Sequence, residues 1–403
     1  MKILVIHDIG EIVGGAEVVV YDSVMELRRR GHDVRILSGP PRPGRSFFSD
    51  YQFQFRHANL IQKAVSYTFN PFAWLELRRV LASFRPDLVH LHTIHKASPS
   101  VLLPIMDYPT LATIHDYSLF YTDLRRLLPD SLVCNFASGA CCPHHAGLRY
   151  YWERFRSLTF RHLIRSVDLV MPNSAYMSGI LMRAGFTNIS DRHSLGVRLP
   201  NYQPMLSNDN LLFVGRLESE KGVEFLLRSL PAILQSRKET TLRIVGEGRQ
   251  AAYLRDLATK LNIDSHVTVT GYVSRERLQS LYRDCSILVV PSIWPEPLGL
   301  VGIEAMSVGR PVVGTKVGGI PEWLHDGTTG YLVEPRSPDQ ISEAVVRLLS
   351  DRARLVQLGK DARHRAEDYS VENYVDDLEQ IYADLVVQRL LATHESASSK
   401  YER

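Results

Sequence analysis

Short apolar, β-branched runs alternate with longer amphipathic stretches along most of this chain, and that alternation narrows the fold more than any other feature. In the first half the runs are KILVIH, DVRIL, DLVHLH, TLATIH and VDLVMP. In the second they are NLLFVG, TLRIVG, VTVTG, CSILVVPS, PVVGT and GYLVE. Such runs suit parallel strands buried on both faces. Helical patterns lie between them, at 16–30, 223–234, 250–261, 275–283 and 338–349. Strand–helix alternation predicts an α/β fold with parallel sheets. The alternation restarts near Asn210, just after LPNYQPMLSNDN, a Pro- and Asn-rich stretch that reads as an interdomain linker. The expectation is two doubly wound domains, 1–199 and 200–374, facing each other across a cleft. Ligands of such sheets bind beyond the carboxyl ends of the strands.

Length and composition agree. A chain of 403 residues has room for two to three domains. With 45% hydrophobic and 23% charged residues, it is neither disordered nor fibrous. No uncharged apolar run reaches the roughly 18–20 residues that span a bilayer. MKILVIHDIG holds an apolar run too short for a secretory leader, so the expected location is cytoplasmic. Four Cys make no disulfide scaffold. The net charge of +3 is too small for a nucleic-acid protein. Residues 1–200 nevertheless hold 23 Lys+Arg against 16 Asp+Glu, a net +7, while the remainder carries −4. A basic half can face phosphates or an anionic membrane, or be chance asymmetry between two solvated domains.

The richest stretch is PSIWPEPLGLVGIEAMSVGRPVVGTKVGGIPE, residues 291–322. A strand ends at Pro291-Ser292, and Glu296-Pro297 precede a helix predicted to begin near Leu298. Gly299 and Gly302 would let backbone approach a ligand, and the amides of 298–301 would present donors to an anion. Glu296 and Glu304 flank those amides. Two carboxylates around exposed amides suit a ligand with hydroxyls on both sides of a phosphate, as in a nucleotide sugar. Alone, either Glu reads as a helix-start acid or a solvated helix residue.

Three further sites stand at strand ends. In NLLFVGRLESEKGVEFLLRSL, Arg216 and Lys221 share one strand-to-helix loop, where two cations can neutralise a diphosphate. In HDIGEIVGGAEVVV, the Gly14-Gly15 pair supplies positive φ and close approach to phosphate, or is an ordinary tight turn. It is not a dinucleotide fingerprint, because G-x-G-x-x-G is absent. In TLATIHDYSLF, His115 and Asp116 end a strand, and His115 can donate to a sugar hydroxyl. His90, His92 and His95 cluster in LVHLHTIH; a lone His is more often structural, so His115 alone is singled out.

These motifs carry a resemblance. FVGRLESEKG, the GEG of 246–248, the GYV of 271–273, PSIWPEPLGLVGIEA and VGGIPE resemble glycosyltransferase family 4, as do GGAE and TIHD. The resemblance covers the chain from Met1 to about Tyr374. It implies a GT-B fold of two Rossmann-like domains, the first taking the acceptor and the second a nucleotide-sugar donor. It also implies a helix at about 375–391 that returns to the first domain; the polar tail 393–403 is expected to be disordered. By resemblance, Arg216 and Lys221 hold the diphosphate, Glu304 the ribose and Glu296 the donor sugar. Leu298, Gly299 and Leu300 give backbone contacts, and Gly271, Tyr272 and Val273 lie near the base. Gly15 approaches the donor phosphate from the other domain, and His115 reaches the sugar. EPLGL stands where the family usually has EPFGL; Leu298 keeps an apolar packing role. The family implies retention at the anomeric carbon, no side-chain nucleophile, no metal and no cofactor besides the nucleotide-sugar co-substrate. UDP is the default donor base and GDP the alternative; the acceptor is a glycan or a lipid-linked saccharide.

Two stretches remain apart from this reading. Cys134, Cys141, Cys142, His144 and His145 could supply a zinc site, but adjacent Cys ligate one ion poorly, and free thiols in a loop are the expectation. The segment 148–166 mixes five Arg with aromatics, and either packs on a sheet or lies on an anionic membrane. The aromatic-rich region 47–74 is expected to shape the acceptor pocket. A nucleotide-sugar epimerase would need acid and base side chains that the motifs do not supply. An oxidoreductase would need the missing Gly fingerprint with an acid beyond it. A non-catalytic nucleotide-binding protein would not need all four charged residues of the donor motifs.

Overall fold

The computed structural model describes residues 1–12, 14–40, 47–53, 69–94, 98–117, 155, 158–192, 195–202 and 208–401. These residues divide into two compact units, 1–196 with 371–403, and 197–370. The division falls a few residues before the expected 199/200 and 374 boundaries.

Among the described residues the N-terminal unit forms one parallel sheet. Its strands are β1 (Lys2–His7), β2 (Asp33–Ser38), β3 (Tyr51–Gln52), β4 (Leu88–Leu91), β5 (Thr110–Ile114) and β6 (Leu169–Pro172). Their order is β3-β2-β1-β4-β5-β6. The chain winds outward from β1 to β3, then restarts beside β1 with β4, so the winding direction reverses between β1 and β4. The other unit repeats the plan with β7 (Asn210–Val214), β8 (Thr241–Val245), β9 (Val267–Gly271), β10 (Ile287–Val290), β11 (Val312–Thr315) and β12 (Gly330–Val333). Its order is β12-β11-β10-β7-β8-β9, with the reversal between β7 and β10. All the strand pairs within both sheets are parallel.

The apolar runs account for every strand but β3, which is two residues long. Central strands such as β4 and β10 are buried at all four positions, as a sheet covered on both faces requires. The edge strand β9 instead alternates partly buried and exposed residues, which its V-T-V-T spelling allows. Helices Gly15–Arg29, Val223–Ser236, Ala251–Lys260, Arg275–Asp284 and Pro338–Ser350 match the helical patterns to within two residues.

The last helix runs Val371–Tyr401 and belongs to the N-terminal unit. Val371, Tyr374, Val375, Leu378, Ile381, Tyr382 and Leu385 are buried at helical spacing. Arg30 donates to Glu379 at 2.7 Å, and Arg192 to Asp377 at 2.8 Å, from the body of the unit. The tail expected to be disordered from Thr393 is helical to Tyr401. Its sequence is polar, but it contains no Gly or Pro to stop a helix already under way. No helix among the described residues is long and apolar enough to cross a membrane. Of the 148–166 stretch, 148–154, 156 and 157 lie outside the described residues. In the remainder Phe160 and Ile164 are buried, and Phe155 and Leu158 are exposed. Cys134, Cys141, Cys142, His144, His145 and His95 also lie outside, as do residues 54–68 of the aromatic-rich region.

Candidate active site

In the C-terminal unit the two motif-bearing loops follow β7 and β10, the neighbours at which the winding reverses. After β7 the chain passes Gly215 and Arg216, makes a short turn over Ser219–Lys221 and enters helix Val223–Ser236 through Gly222. Gly222 has φ +65°, and a Cβ there would lie 2.0 Å from the Pro291 carbonyl oxygen. Only glycine lets the two loops touch in this way. The Ile293 N–H then donates to the Glu220 carbonyl at 3.0 Å, tying the loops backbone to backbone.

That clamp brings Lys221 to Glu296. The Lys221 Nζ donates to both carboxylate oxygens of Glu296, at 2.7 and 2.9 Å, and Ser292 Oγ donates to Oε1. Glu296 is 6% exposed. Burial pushes its carboxyl upward, but the Lys221 charge and hydrogen bonds from Lys221, Ser292 and Trp294 outweigh it and hold it below the usual carboxylate range. The buried Glu296 and the partly buried Lys221 therefore form an ion pair. Arg216 sits differently: its side chain is 55% exposed and pairs with Glu220 at 3.2 Å.

The helix after β10 begins at Leu300 with Gly299 as its N-cap, two residues later than expected. Glu296 is thus not a first-turn acid, and Leu298 lies ahead of the helix. Pro295 to Gly299 is an irregular entry held from the side: the Gly319 N–H donates to the Glu296 carbonyl at 2.8 Å, and Trp323 Nε1 donates to the Leu298 carbonyl at 2.7 Å. Leu298 is buried, in keeping with a packing role. Gly299 adopts φ +92°, a left-handed cap. Leu300 and Val301 open the helix, where amides lack intrahelical partners. Gly302 was expected to admit a ligand, but a Cβ there would meet the Trp323 ring at 2.0 Å. Its smallness makes room for the indole.

Glu304 follows one turn into this helix and is partly buried. Its Oε2 accepts from the Tyr282 hydroxyl at 2.7 Å. Gly271 ends β9 at φ +71°, followed by exposed Tyr272 and partly buried Val273. The Tyr272 N–H points at Glu247 Oε1, 3.4 Å away. The GEG glycines serve backbone packing: a Cβ on Gly246 would fall 1.8 Å from the Gly215 carbonyl oxygen, and one on Gly248 2.3 Å from that of Leu217.

In the N-terminal unit the corresponding strand ends carry a buried imidazole cluster. His7 ends β1, His92 follows β4 and His115 follows β5. His92 Nδ1 and His115 Nε2 share a hydrogen bond of 2.8 Å, and their rings stack with centroids 5.1 Å apart. The His7 and His92 rings meet edge-on at 6.2 Å. His90, within β4, bonds Thr113 Oγ1 and the Tyr382 hydroxyl, each at 2.7 Å. Burial, reinforced by neighbouring imidazoles, pulls His90 and His115 down to about 3 and His92 well below the usual range, so all three are neutral. His115 therefore belongs to a network, of which His7 was not anticipated.

The Gly14–Gly15 pair does not supply the expected positive φ, and Gly14 is extended, at φ −153° and ψ −169°. Gly15 is the first residue of its helix. The organising residue is Glu17. Its Oε2 accepts from the Gly14 N–H at 2.8 Å, a helix-start contact, and its Oε1 accepts from His7 Nε2 at 3.2 Å. Burial pushes its carboxyl upward, but the contact with His7 and the backbone amide hydrogen bonds outweigh it and hold it below the usual range.

Sequence reasoning also missed Ser292, Tyr282, Trp323 and Gly318. A Cβ on Gly318, at φ +57°, would lie 2.1 Å from the Glu296 carbonyl oxygen. The VGG spelling was a signal of close approach, but not of its target. Among the described residues no group of three or more His, Cys, Asp or Glu could hold a metal ion.

Comparison with known proteins follows the same division. Residues 206–365 match the model for glycosyl transferases group 1, and residues 13–190 that for Glycosyltransferase Family 4. An uncharacterized glycosyltransferase of Methanocaldococcus jannaschii is 38% identical over 173 residues, which is 43% of this chain and 44% of that protein. The chain thus spans less than half of that relative. The glycogen synthase of Mycobacterium tuberculosis is 28% identical over 404 residues, 92% of this chain and 91% of that one. Among solved structures, the sucrose-phosphate synthase of Thermosynechococcus elongatus superposes with a TM-score of 0.71 at 21% identity, covering 96% of this chain and 99% of that one. Anabaena HepE in complex with UDP-glucose superposes with a TM-score of 0.69 at 19% identity, covering 95% of this chain and all of that one. The two doubly wound sheets are those of the GT-B fold, and the chain belongs to glycosyltransferase family 4.

Proposed function

We propose that this glycosyltransferase moves a sugar from a nucleoside diphosphate sugar, UDP-sugar by default, to a hydroxyl of a glycan or lipid-linked saccharide, with retention at the anomeric carbon. The observation that carries the reading is the Lys221–Glu296 ion pair at the β7/β10 reversal, in loops that lead into helices, one of them opened by the amides of Leu300 and Val301. A primary ammonium has three donors, and Glu296 accepts from Lys221 through two oxygens. Lys221 can therefore give a further N–H to a phosphate while Glu296 keeps it charged and aimed. Arg216, exposed two residues beyond β7, adds the second cation. Together with the helix-start amides these groups would neutralise the charge that grows on a leaving diphosphate. That counter-charge is the physical basis for assigning no metal and no cofactor besides the co-substrate.

Glu304 then takes the ribose hydroxyls, Glu296 a donor-sugar hydroxyl, and Leu298, Gly299 and Leu300 supply backbone contacts. Gly271, Tyr272 and Val273 line the place of the base. In the N-terminal unit, which takes the acceptor, Gly15 is assigned a phosphate contact and His115 a sugar hydroxyl. With no side-chain nucleophile named, the departing phosphate itself takes the acceptor proton, and attack comes on the face that it leaves. The UDP-glucose complex of HepE and the M. tuberculosis glycogen synthase support a nucleotide donor and a glycan acceptor. The same chemistry implies work at the cytoplasmic source of nucleotide sugars, with 148–166 as a candidate membrane contact.

The first test is a thermal-shift panel of UDP, GDP, ADP and dTDP. A ligand at 100 times its Kd stabilises by about 2.7 kcal/mol. The second is release of nucleoside diphosphate from the sugar donor on addition of a cell-envelope extract, with the anomeric configuration of the product read by NMR. No shift with any nucleotide would remove the donor assignment, and an inverted product would remove retention.

A further inference from the structure

Tyr282 is 0% exposed, near the end of helix Arg275–Asp284, and its hydroxyl donates to Glu304 Oε2 on the neighbouring helix Leu300–Ser307. The direction of that bond is unambiguous. Burial and the adjacent Glu304 charge push the phenol well above its ordinary range, so it keeps its proton and the carboxylate accepts. Glu304 itself is only partly buried. The contact therefore joins a fixed interior donor to a partly buried acid on the helix that follows β10. A glutamate side chain has three rotatable bonds, and holding its carboxylate in one orientation costs entropy. A donor already locked in the core meets that cost before any ligand arrives. The ring alone would fill the same space without the hydroxyl.

We propose that Tyr282 is a positioning residue acting through Glu304: its hydroxyl holds the carboxylate in the orientation that accepts the vicinal hydroxyls of a ribose. Tyr282 thereby sets how strongly the site prefers a ribonucleoside diphosphate to one lacking those hydroxyls. This rests on the ribose role assigned to Glu304 above, and the experiment separates the two.

Wild type, Y282F, E304Q and the double variant are titrated calorimetrically with UDP and with 2′,3′-dideoxy-UDP, or with the guanine pair if GDP is the nucleotide bound. Wild type should prefer UDP, and E304Q should lose that preference. Y282F should reduce the preference about tenfold, by weakening UDP while dideoxy-UDP stays within about twofold, the scale of one hydrogen bond to a charged group. The double variant should match E304Q, because Tyr282 has no other route to the ribose. The ratio of two ligands on one folded protein does not move with global stability, so a purely structural role would leave it unchanged. If E304Q loses the preference and Y282F keeps it, Tyr282 only fills space and the Glu304 assignment stands. If E304Q keeps the preference, or wild type binds neither nucleotide, the Glu304 assignment fails and takes this proposal with it.

Discussion

In the loops that follow β7 and β10 the C-terminal unit pairs the buried Glu296 with Lys221, whose side chain is 18% exposed. At the carboxyl ends of β1, β4 and β5 the N-terminal unit buries His7, His92 and His115, with His90 inside β4. The two sheets share one winding order, so the difference lies in the side chains placed on equivalent ends. A buried charge needs a fixed counter-charge, and the glycine-tight clamp between two loops supplies it. His90, His92 and His115 stay buried without charge, because burial itself strips their proton. One scaffold thus holds an ion pair beyond the strand ends of one unit and, at the strand ends of the other, three neutral imidazoles beside the His7–Glu17 contact.

Breaking the ion pair should have the largest effect. Lys221→Ala removes a charge-stabilising donor and should raise the catalytic barrier by ~3–4 kcal/mol. It also strands Glu296, which should lower stability by ~3–5 kcal/mol. Initial rates of nucleoside diphosphate release and a denaturant melt read the two effects separately. Turnover equal to wild type would remove Lys221 from the chemistry. Lys221→Met with Glu296→Leu should recover much of the stability and none of the activity.

The glycine-tight packing of the β11 loop against Glu296 can be tested apart from the charges. Gly318→Ala drives a methyl toward the Glu296 carbonyl at a positive φ, and should cost ~2–4 kcal/mol of stability. Gly327→Ala, at φ +70° with nothing within 4 Å, should cost only the ~1–2 kcal/mol of the backbone conformation. Equal losses in melts of the two variants would mean that the contact with Glu296 carries no weight.

Acid should reveal the imidazoles before the carboxylates. His90 and His115 titrate at about 3 when folded and near 6.5 when unfolded, so the unfolded chain binds more protons between those values. Their stabilisation is complete above about pH 6.5 and is lost as pH falls toward 3, at ~1.4 kcal/mol per pH unit for each group. Glu296 and Glu17, held below the usual carboxylate range, contribute stability that is present above 4.5 and lost only at lower pH. Melting temperature should therefore begin to fall near pH 6.5, and His90→Gln should flatten the segment between pH 6.5 and 5. A wild-type curve level down to pH 5 would show that the cluster is not held neutral. As the smallest effect, Arg228→Ala, which breaks a surface pair with Glu224, should change stability by less than ~0.5 kcal/mol.

Much of the candidate site was legible because its residues lie in short local motifs. Arg216 with Lys221, and Glu296 with Glu304, are spaced within one loop or one loop and its helix. Their meeting was not legible: Lys221 and Glu296 are 75 residues apart, and the β7/β10 reversal makes them neighbours. The histidine cluster was harder still. His92 and His115 are 23 residues apart, and His90 meets Tyr382 from a helix 292 residues later. A histidine at a strand end looks the same in sequence whether it is solvated or networked. The glycines misled for a related reason. Gly302 spells close approach to a ligand, but its partner is Trp323, and Gly14-Gly15 adopts no left-handed turn at all.

From its sequence alone this chain determined its element types, its division into two doubly wound halves and the charged residues of one half, because hydrophobic period, helix-start chemistry and motif spacing are local properties. Tertiary structure alone decided which of those charges pair, which imidazoles are neutral and what each glycine makes room for. Ionisation and packing depend on groups brought together by parallel strand order, and that order joins positions that no local pattern connects.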